Sequence, residues 1–198
     1  MKKLIVASSN QHKLEEIQEM LPGFEILGLS DIGFDEEIDE NGSTFAQNAL
    51  IKSQAIYDKY HLPVLADDSG LCIDYFDGAP GVLSARYLGH DTSYEYKNNH
   101  ILNDMKDVPW EKRGAQYVCA MAYINREGKS TIKLGVCDGY IALKVEGEKG
   151  FGYDPIFYVD DYQTTLANVS AEDKNKISHR HRALMEVKNE IEQDNYSH

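Results

Sequence analysis

The stretch Val64-Leu65-Ala66-Asp67-Asp68-Ser69-Gly70-Leu71 changes abruptly from apolar to acidic residues. Its apolar start predicts a buried strand whose tip carries Asp67 and Asp68 into a cleft. Adjacent carboxylates repel each other, so they favour either a bound divalent cation or a raised pKa of one group. Their oxygen atoms suit Mg2+, which keeps several waters and is shared with substrate phosphates. The same residues also fit an Asp-led turn before Gly70, and this stretch alone leaves both interpretations open.

A strand, a polar turn and a helix precede this stretch at the start of the chain. Residues 3–7 predict an apolar strand, and residues 13–21 carry apolar side chains at helical spacing. This order predicts an α/β fold. The turn over residues 8–12 lies at a helix N-terminus, where free N–H groups attract anions. Ordinary helix capping by Ser8 or Asn10 fits the same pattern.

A second helix lies directly before the acidic stretch. Thr44 and Gln47 have capping-box spacing and predict a helix over residues 44–60. Asn48 and Lys52 are four residues apart, so they share one face of that helix. An acidic loop over residues 31–41 comes before it and ends close to Glu40. Both the loop and the polar helix face fit either solvent exposure or a position in the cleft.

The chain beyond Gly70 is richer in strands and hairpins. Residues 115–125 predict a long strand, residues 126–129 a hairpin turn, and residues 130–138 the returning strand, with residues 139–145 continuing the sheet. We interpret residues 75–145 as a second lobe of a single domain spanning residues 1–198. The first lobe would then comprise residues 1–74 and 146–198.

Two motifs near the C-terminus combine aromatic, glycine and basic residues. In residues 150–157 glycines permit close backbone approach, and Phe151 and Tyr153 can stack on a planar ring. A packed aromatic loop is the alternative. Lys174, His179 and Arg180 lie at a predicted helix start and fit a site that binds an anion or the edge of a nucleobase. A capping serine followed by solvated basic residues fits the same pattern.

Composition excludes several classes of partner. The 198 residues carry a formal net charge of -13, which repels nucleic acid and anionic membranes. No signal peptide or membrane-spanning run is evident. The cysteines at positions 72, 119 and 137 are far apart and predict reduced thiols in a cytoplasmic protein.

Taken in order, these motifs resemble the inosine/xanthosine triphosphate pyrophosphatase family, hydrolases of non-standard purine nucleotides. The resemblance spans nearly the whole chain and rests on six separated motifs. They are Ser8-x-Asn10-x-x-Lys13, Glu40-x-Gly42-x-Thr44-Phe45-x-x-Asn48-Ala49-x-x-Lys52, Ala66-Asp67-Asp68-Ser69-Gly70-Leu71, Gly78-Ala79-Pro80-Gly81-x-x-Ser84-Ala85-Arg86, Phe151-Gly152-Tyr153-Asp154-Pro155-Ile156-Phe157 and Lys174-x-x-x-Ser178-His179-Arg180.

The resemblance implies roles for a set of site residues. Asp68 would be the catalytic acid/base, and Glu40, Asp67 and Asp68 would hold Mg2+. The residues implied to bind substrate are Ser8, Ser9, Asn10, Gln11, His12, Lys13, Lys52, Ser69, Phe151, Gly152, Tyr153, Asp154, Lys174, His179 and Arg180.

The resemblance also implies a fold and a reaction. The expected fold is an elongated, two-lobed, mixed-sheet α/β structure with the active site in the groove between the lobes, assembled as a homodimer. The expected reaction converts ITP, dITP or XTP into the monophosphate and pyrophosphate. A nucleotide-binding protein without turnover, or a pyrophosphatase for pyrimidine or modified nucleotides, remains an alternative.

Some residues depart from the family pattern. Ser8 stands where Thr is more frequent, which keeps the hydroxyl group, and Gln47 stands where Glu is common. The pair His181-Arg182 adds charge beside the expected base pocket, and Val145-Glu146-Gly147 changes the approach to Phe151. The last two departures leave fine purine selectivity and the position of the aromatic loop open.

Overall fold

The computed structural model describes residues 2–194 as alternating helices and strands. The helices are α1 (Gln11–Met20), α2 (Phe45–Tyr60), α3 (Tyr94–Asp104), α4 (Ala171–Ile177) and α5 (His179–Gln193). The strands are β1 (Lys2–Val6), β2 (Phe24–Leu27), β3 (Val64–Ile73), β4 (Gly114–Ile124), β5 (Ser130–Ile141), β6 (Phe157–Val159) and β7 (Thr164–Thr165). None of the helices within this range combines the length and the apolar composition that a membrane crossing requires.

The strands form a mixed sheet in the order β2-β1-β3-β4-β5-β6-β7. β1 pairs in parallel with both β2 and β3, with Ile5 opposite Leu27 and Val64. β6 pairs antiparallel with β5 and with β7. The predicted mixed-sheet α/β fold is therefore confirmed.

The chain divides into two compact units. Unit 1 comprises residues 1–68, 119–135 and 183–198, and unit 2 comprises residues 69–118 and 136–182. The units group residues 146–182 with residues 69–118, whereas the sequence-based lobes grouped them with the N-terminal segment. The two lobes and the groove stay predictions.

Each unit has its own apolar core. In unit 1, Leu4 and Val6 of β1 pack with Ile17 of α1 and with Leu184 and Val187 of α5. In unit 2, the core contains residues from α3, from β3 to β6 and from the short helical turns near β7, among them Leu71, Ile73, Ile101, Ile156 and Phe157. Burial of these side chains stabilises each unit by about 1.5–3 kcal/mol per large residue.

Unit 2 contains a buried arginine whose donors are satisfied by backbone carbonyls. The Arg113 side chain donates to the carbonyls of Ile141 at 2.7 Å, Met105 at 2.5 Å and Ala142 at 2.7 Å. The residue is 1% exposed, and these carbonyls stand in for the water that its guanidinium would otherwise bind.

The prediction that a strand ends at the two carboxylates is wrong, and so is the alternative of a turn at Gly70. β3 runs on through Asp67 and Asp68 to Ile73. Leu71 and Ile73 are fully buried, so the second half of β3 has core side chains of its own. A Cβ at position 70 would collide with the Gly81 carbonyl and the Ser84 side chain, while the Ser84 hydroxyl accepts from the Leu71 N–H at 2.9 Å. Gly70 is needed for close packing rather than for a turn.

Two element boundaries near the C-terminal half also differ from the predictions. β5 is one strand that ends at Ile141, so the sheet does not continue to residue 145. The Ile141 N–H donates to the Arg113 carbonyl and the Ala142 N–H to the Ile156 carbonyl. Lys174 does not precede a single helix, because it lies within the separate short helix α4. α4 has Ser170 as its N-cap and ends at Ile177, and the extended backbone of Ser178 separates it from α5.

Candidate active site

The turn between β1 and α1 is a helix cap in this structure. The Asn10 side chain accepts from the N–H groups of His12 at 3.1 Å and Lys13 at 3.4 Å. The Ser8 hydroxyl accepts from the Asn10 N–H at 3.1 Å. Capping and anion binding share the same donors, so the cap holds Lys13 in place at the start of α1.

Lys13 pairs with the first carboxylate of the acidic stretch. Its ammonium donates to both Asp67 oxygens, at 3.1 and 2.8 Å. The Asp67 side chain is 2% exposed, and a carboxylate this buried requires a cation or several donors. The ion pair therefore ties the start of α1 to β3 within unit 1.

Asp68 is held by two residues of α2. The Asn48 amide donates to Asp68 Oδ2 at 3.1 Å. The Lys52 ammonium lies 3.9 Å from Asp68 Oδ1 and 3.0 Å from Glu40 Oε2. Since Asn48 and Lys52 are one helical turn apart, α2 presents an amide and a cation together to this carboxylate. The predicted residues Glu40, Lys52 and Asp68 are thus brought together in unit 1.

Burial raises the pKa of Asp68 above its ordinary value. The Lys52 cation and the Asn48 amide lower this pKa, while the charges of Glu40 and Asp67 raise it further. The net direction is upward because desolvation exceeds the stabilisation of the charged form. A carboxylate with a raised pKa in a group of charged side chains has the properties of a general base.

Asn48 is a site residue to which sequence reasoning assigned no role. It is 1% exposed, and its Oδ1 accepts from the Gly42 N–H at 2.8 Å while its Nδ2 donates to Asp68. Its spacing from Lys52 placed it on the correct helix face, but nothing local indicated its second partner. Gln47 accepts from the Ser43 N–H at 2.8 Å, one residue before the Thr44 cap of α2. Glutamine at position 47 therefore contributes a hydrogen bond to the segment in which α2 begins.

The donor set of this cluster fits a divalent cation. The Lys52 ammonium lies between Glu40 and Asp68, which shows that these two carboxylates gather around one positive charge. Within residues 2–194, no group of three or more His, Cys, Asp and Glu side chains has the arrangement of a metal site. Mg2+ commonly uses only one or two carboxylates and completes its shell with water and phosphate oxygens. Lys13 already engages the third predicted ligand, Asp67.

A second cluster lies in unit 2 around Asp154. Asp154 Oδ2 accepts from the Lys174 ammonium at 2.6 Å and from the Phe151 N–H at 2.7 Å. The Tyr117 hydroxyl lies 3.5 Å from Asp154 Oδ1. Asp154 is 3% exposed. The buried carboxylate thus orients Lys174 from α4 and fixes the backbone at Phe151.

His179 is held by an aromatic stack. Its ring lies parallel to the Tyr117 ring, with centroids 4.8 Å apart and an interplanar angle of 9°. Tyr117 is 8% exposed, and burial raises the pKa of its hydroxyl, with the Asp154 charge adding to the shift. Tyr117 therefore contacts both Asp154 and His179. It was not predicted, since a tyrosine inside an apolar strand carries no local signal of such a role.

The other predicted residues have varied surroundings. Phe151 is 70% exposed, so its ring is accessible for stacking. Gln11 and His12 are directed to Glu15 at the surface of α1. Ser9 is exposed and Ser69 is half-buried in β3. Arg180 follows His179 in α5 and is half-buried, and Gly152 and Tyr153 adjoin Asp154.

One residue of the departing pair His181-Arg182 has a defined backbone contact. The Arg182 guanidinium donates to the Val136 carbonyl at 2.6 Å within unit 2. The side chain therefore contacts β5, which gives this residue a structural contact.

The chain is similar to known proteins both in sequence and in structure. A sequence profile of the Ham1 family matches residues 4–190. A dITP/XTP pyrophosphatase of Halalkalibacterium halodurans is 43% identical over 189 residues, covering 94% of this chain and 97% of that protein. A dITP/XTP pyrophosphatase of Thermoanaerobacter pseudethanolicus is 44% identical, covering 96% of each chain. The structure of the Staphylococcus aureus Ham1 protein aligns with a TM-score of 0.91 at 37% identity, covering 98% of this chain and 100% of that one.

Proposed function

Because this chain belongs to the Ham1 family, we propose that it hydrolyses ITP, dITP and XTP to the monophosphate and pyrophosphate with Mg2+. The relatives named dITP/XTP pyrophosphatase support an enzyme that hydrolyses non-standard purine nucleoside triphosphates. The substrates, the metal and a homodimeric assembly in the cytoplasm belong to the proposal.

The single observation that carries the proposal is the setting of Asp68. This carboxylate has a raised pKa, an amide donor on one oxygen and a shared lysine beside the other. An ordinary structural ion pair would lower the pKa of its carboxylate. A raised pKa beside two lysine–carboxylate pairs supports a carboxylate that accepts a proton during turnover.

The proposed reaction cleaves the α–β phosphoanhydride. A water oxygen bonds to phosphorus, the P–O bond to the bridging oxygen breaks, and pyrophosphate leaves with the bonding electron pair. Asp68 takes the proton that the water loses. Lys13 and Lys52 stabilise the negative charge that develops on the phosphate oxygens, and Asn48 keeps the Asp68 carboxylate oriented.

Glu40 and Asp68, with Asp67 beside them, would hold Mg2+. The ion would neutralise phosphate charge and help to stabilise the pyrophosphate leaving group. The lysines of this cluster supply part of that charge themselves, which is consistent with a triphosphate binding to a chain of net charge -13.

The Asp154 cluster would recognise the base. Lys174 and His179 are donors held by Asp154 and Tyr117, and Arg180 adds a cation close by in the sequence. Donors suit the six-position oxygen of hypoxanthine or xanthine. The amino group of adenine would leave them unpaired, so discrimination against ATP is expected to be strong. Phe151 would stack on the purine ring.

The test is product analysis over a substrate panel at fixed Mg2+. We expect ITP, dITP and XTP to release pyrophosphate, with ATP and pyrimidine triphosphates turned over much more slowly. Orthophosphate as first product would contradict the reaction. Preference for a pyrimidine nucleotide would contradict the substrate class, and tight ITP binding without turnover would favour a binding protein.

A further inference from the structure

The segment Gly150–Asp154, here called the aromatic loop, is supported by α3. The Tyr94 ring contacts the Phe151 ring at a centroid distance of 5.1 Å and the Tyr153 ring at 5.2 Å. The interplanar angles are 64° and 90°, which are typical of favourable edge-to-face contacts. One side chain of α3 therefore contacts both aromatic residues of the loop.

The backbone of the aromatic loop is also attached to α3. The Asn98 amide donates to the Gly152 carbonyl at 3.1 Å. Gly152 has a φ of 67°, a conformation that glycine adopts without strain. Its nearest neighbour in the direction of a missing Cβ is the Tyr94 ring, 3.5 Å away. Tyr94 and Asn98 lie one helical turn apart, so they share the face of α3 that meets the loop.

The Tyr94 ring is itself in contact with a buried lysine. The Lys97 ammonium lies 4.7 Å from the Tyr94 ring centroid and donates to the Ala85 carbonyl at 2.7 Å. Lys97 is 1% exposed, so this cation has little freedom to move. The Tyr153 hydroxyl donates to the Ser84 carbonyl at 2.7 Å. These contacts hold the loop, α3 and the segment 84–85 in one arrangement within unit 2.

We propose that Tyr94 is a positioning residue for base recognition, which orients the Phe151 ring so that a purine can stack on it. This inference rests on the proposed function. Phe151 is 70% exposed, and an exposed ring without support would have to be ordered when substrate binds. Support from Tyr94 removes that entropic cost and so favours binding of the base. It does not affect binding of the phosphates.

The experiment compares Tyr94→Ala with Tyr94→Phe and with the control Tyr96→Ala. Tyr96 lies on the same helix, is 61% exposed and has a ring contact with His100 rather than with the loop. We expect Tyr94→Ala to raise the KM for ITP by about tenfold at a nearly unchanged kcat, because it removes support for base stacking. Tyr94→Phe and Tyr96→Ala should stay within about twofold of wild type, because the contact uses the ring of Tyr94.

Inhibition by inorganic tripolyphosphate separates positioning from general damage. This anion has no ring, so its inhibition constant should be the same for wild type and Tyr94→Ala. An equal KM for ITP in Tyr94→Ala and wild type would overturn the inference, and so would an equal loss of affinity for ITP and tripolyphosphate. Tyr94→Leu, which keeps apolar bulk, repeats the comparison if Tyr94→Ala does not fold. Absence of ITP turnover by the wild type would instead overturn the proposed function.

Discussion

At the scale of single residues, Asp68→Asn tests the chemistry most directly. Asparagine keeps the size of the side chain but cannot accept a proton at neutral pH. We expect kcat for ITP to fall by about 10³-fold or more, as for loss of a general base, while ITP binding by calorimetry is largely retained. The control is Asp58→Asn, an exposed carboxylate of α2 bonded to Gln54. An active Asp68→Asn enzyme would remove Asp68 from the mechanism.

Cys137 predicts a pH dependence of stability. Burial raises its thiol pKa from 9.0 to about 11, with Arg182 opposing the shift. Because the folded-state pKa is the higher one, the unfolded chain loses its proton first, and stability falls as pH rises from about 9 to 11. Urea unfolding at pH 7 and pH 10 should show that Cys137→Ala loses about 1 kcal/mol less than wild type over this interval. Equal losses would contradict the shift.

Sequence reasoning identified charged residues better than it identified their partners. The pairs of Lys13 with Asp67 and of Lys52 with Glu40 join residues that the motifs had already singled out. No role was predicted for Asn48 or Tyr117, because their partners are distant in sequence: Asp68 is 20 residues from Asn48 and Asp154 is 37 residues from Tyr117. Local pattern contains no information on such contacts.

At the scale of elements, the start of α2 depends on Gly42. A Cβ at this position would lie 2.6 Å from Asn48 Oδ1 and 2.7 Å from Gln47 Cβ. Gly42→Ala should therefore displace Asn48, lower the free energy of unfolding by about 1–3 kcal/mol and reduce turnover through Asp68. Gly23→Ala is the control, since nothing lies within 4 Å of its Cβ position. Denaturation midpoints and kcat values of both variants test this prediction. A Gly42→Ala enzyme with the stability and turnover of wild type would contradict it.

Elements with strong local signals were predicted well. Thr44 caps α2 as its spacing indicated, and the hairpin between β4 and β5 has Gly128 at a positive φ of 80°. The predicted strand was shorter than β3, because the acidic residues of β3 are typical of a strand end. Only tertiary contacts, such as the packing of Gly70 against Ser84, show that the strand continues. β6 and β7 have three and two residues, too few for any periodicity to appear.

At the scale of the whole molecule, the fold should not depend on a metal ion. Lys13 and Lys52 already offset two of the three carboxylate charges of Glu40, Asp67 and Asp68, so removal of a cation leaves little uncompensated charge in this cluster. We expect EDTA to abolish ITP turnover while the Tm changes by about 1 °C or less. Added MgCl2 should restore turnover. A Tm decrease of several degrees in EDTA would show that the metal is part of the folded structure.

The position of Asp67 and Asp68 inside β3 affects which residues can be substituted when the substrate preference of such an enzyme changes. β3 hydrogen-bonds to strands on both sides, so its carboxylates share the rigidity of the sheet and tolerate little displacement. Phe151, by contrast, belongs to a surface loop whose ring is mostly exposed. Laboratory evolution towards another nucleobase should therefore accumulate substitutions around residues 150–154 and leave β3 untouched. The hydrolytic reaction would stay the same while the substrate preference changes.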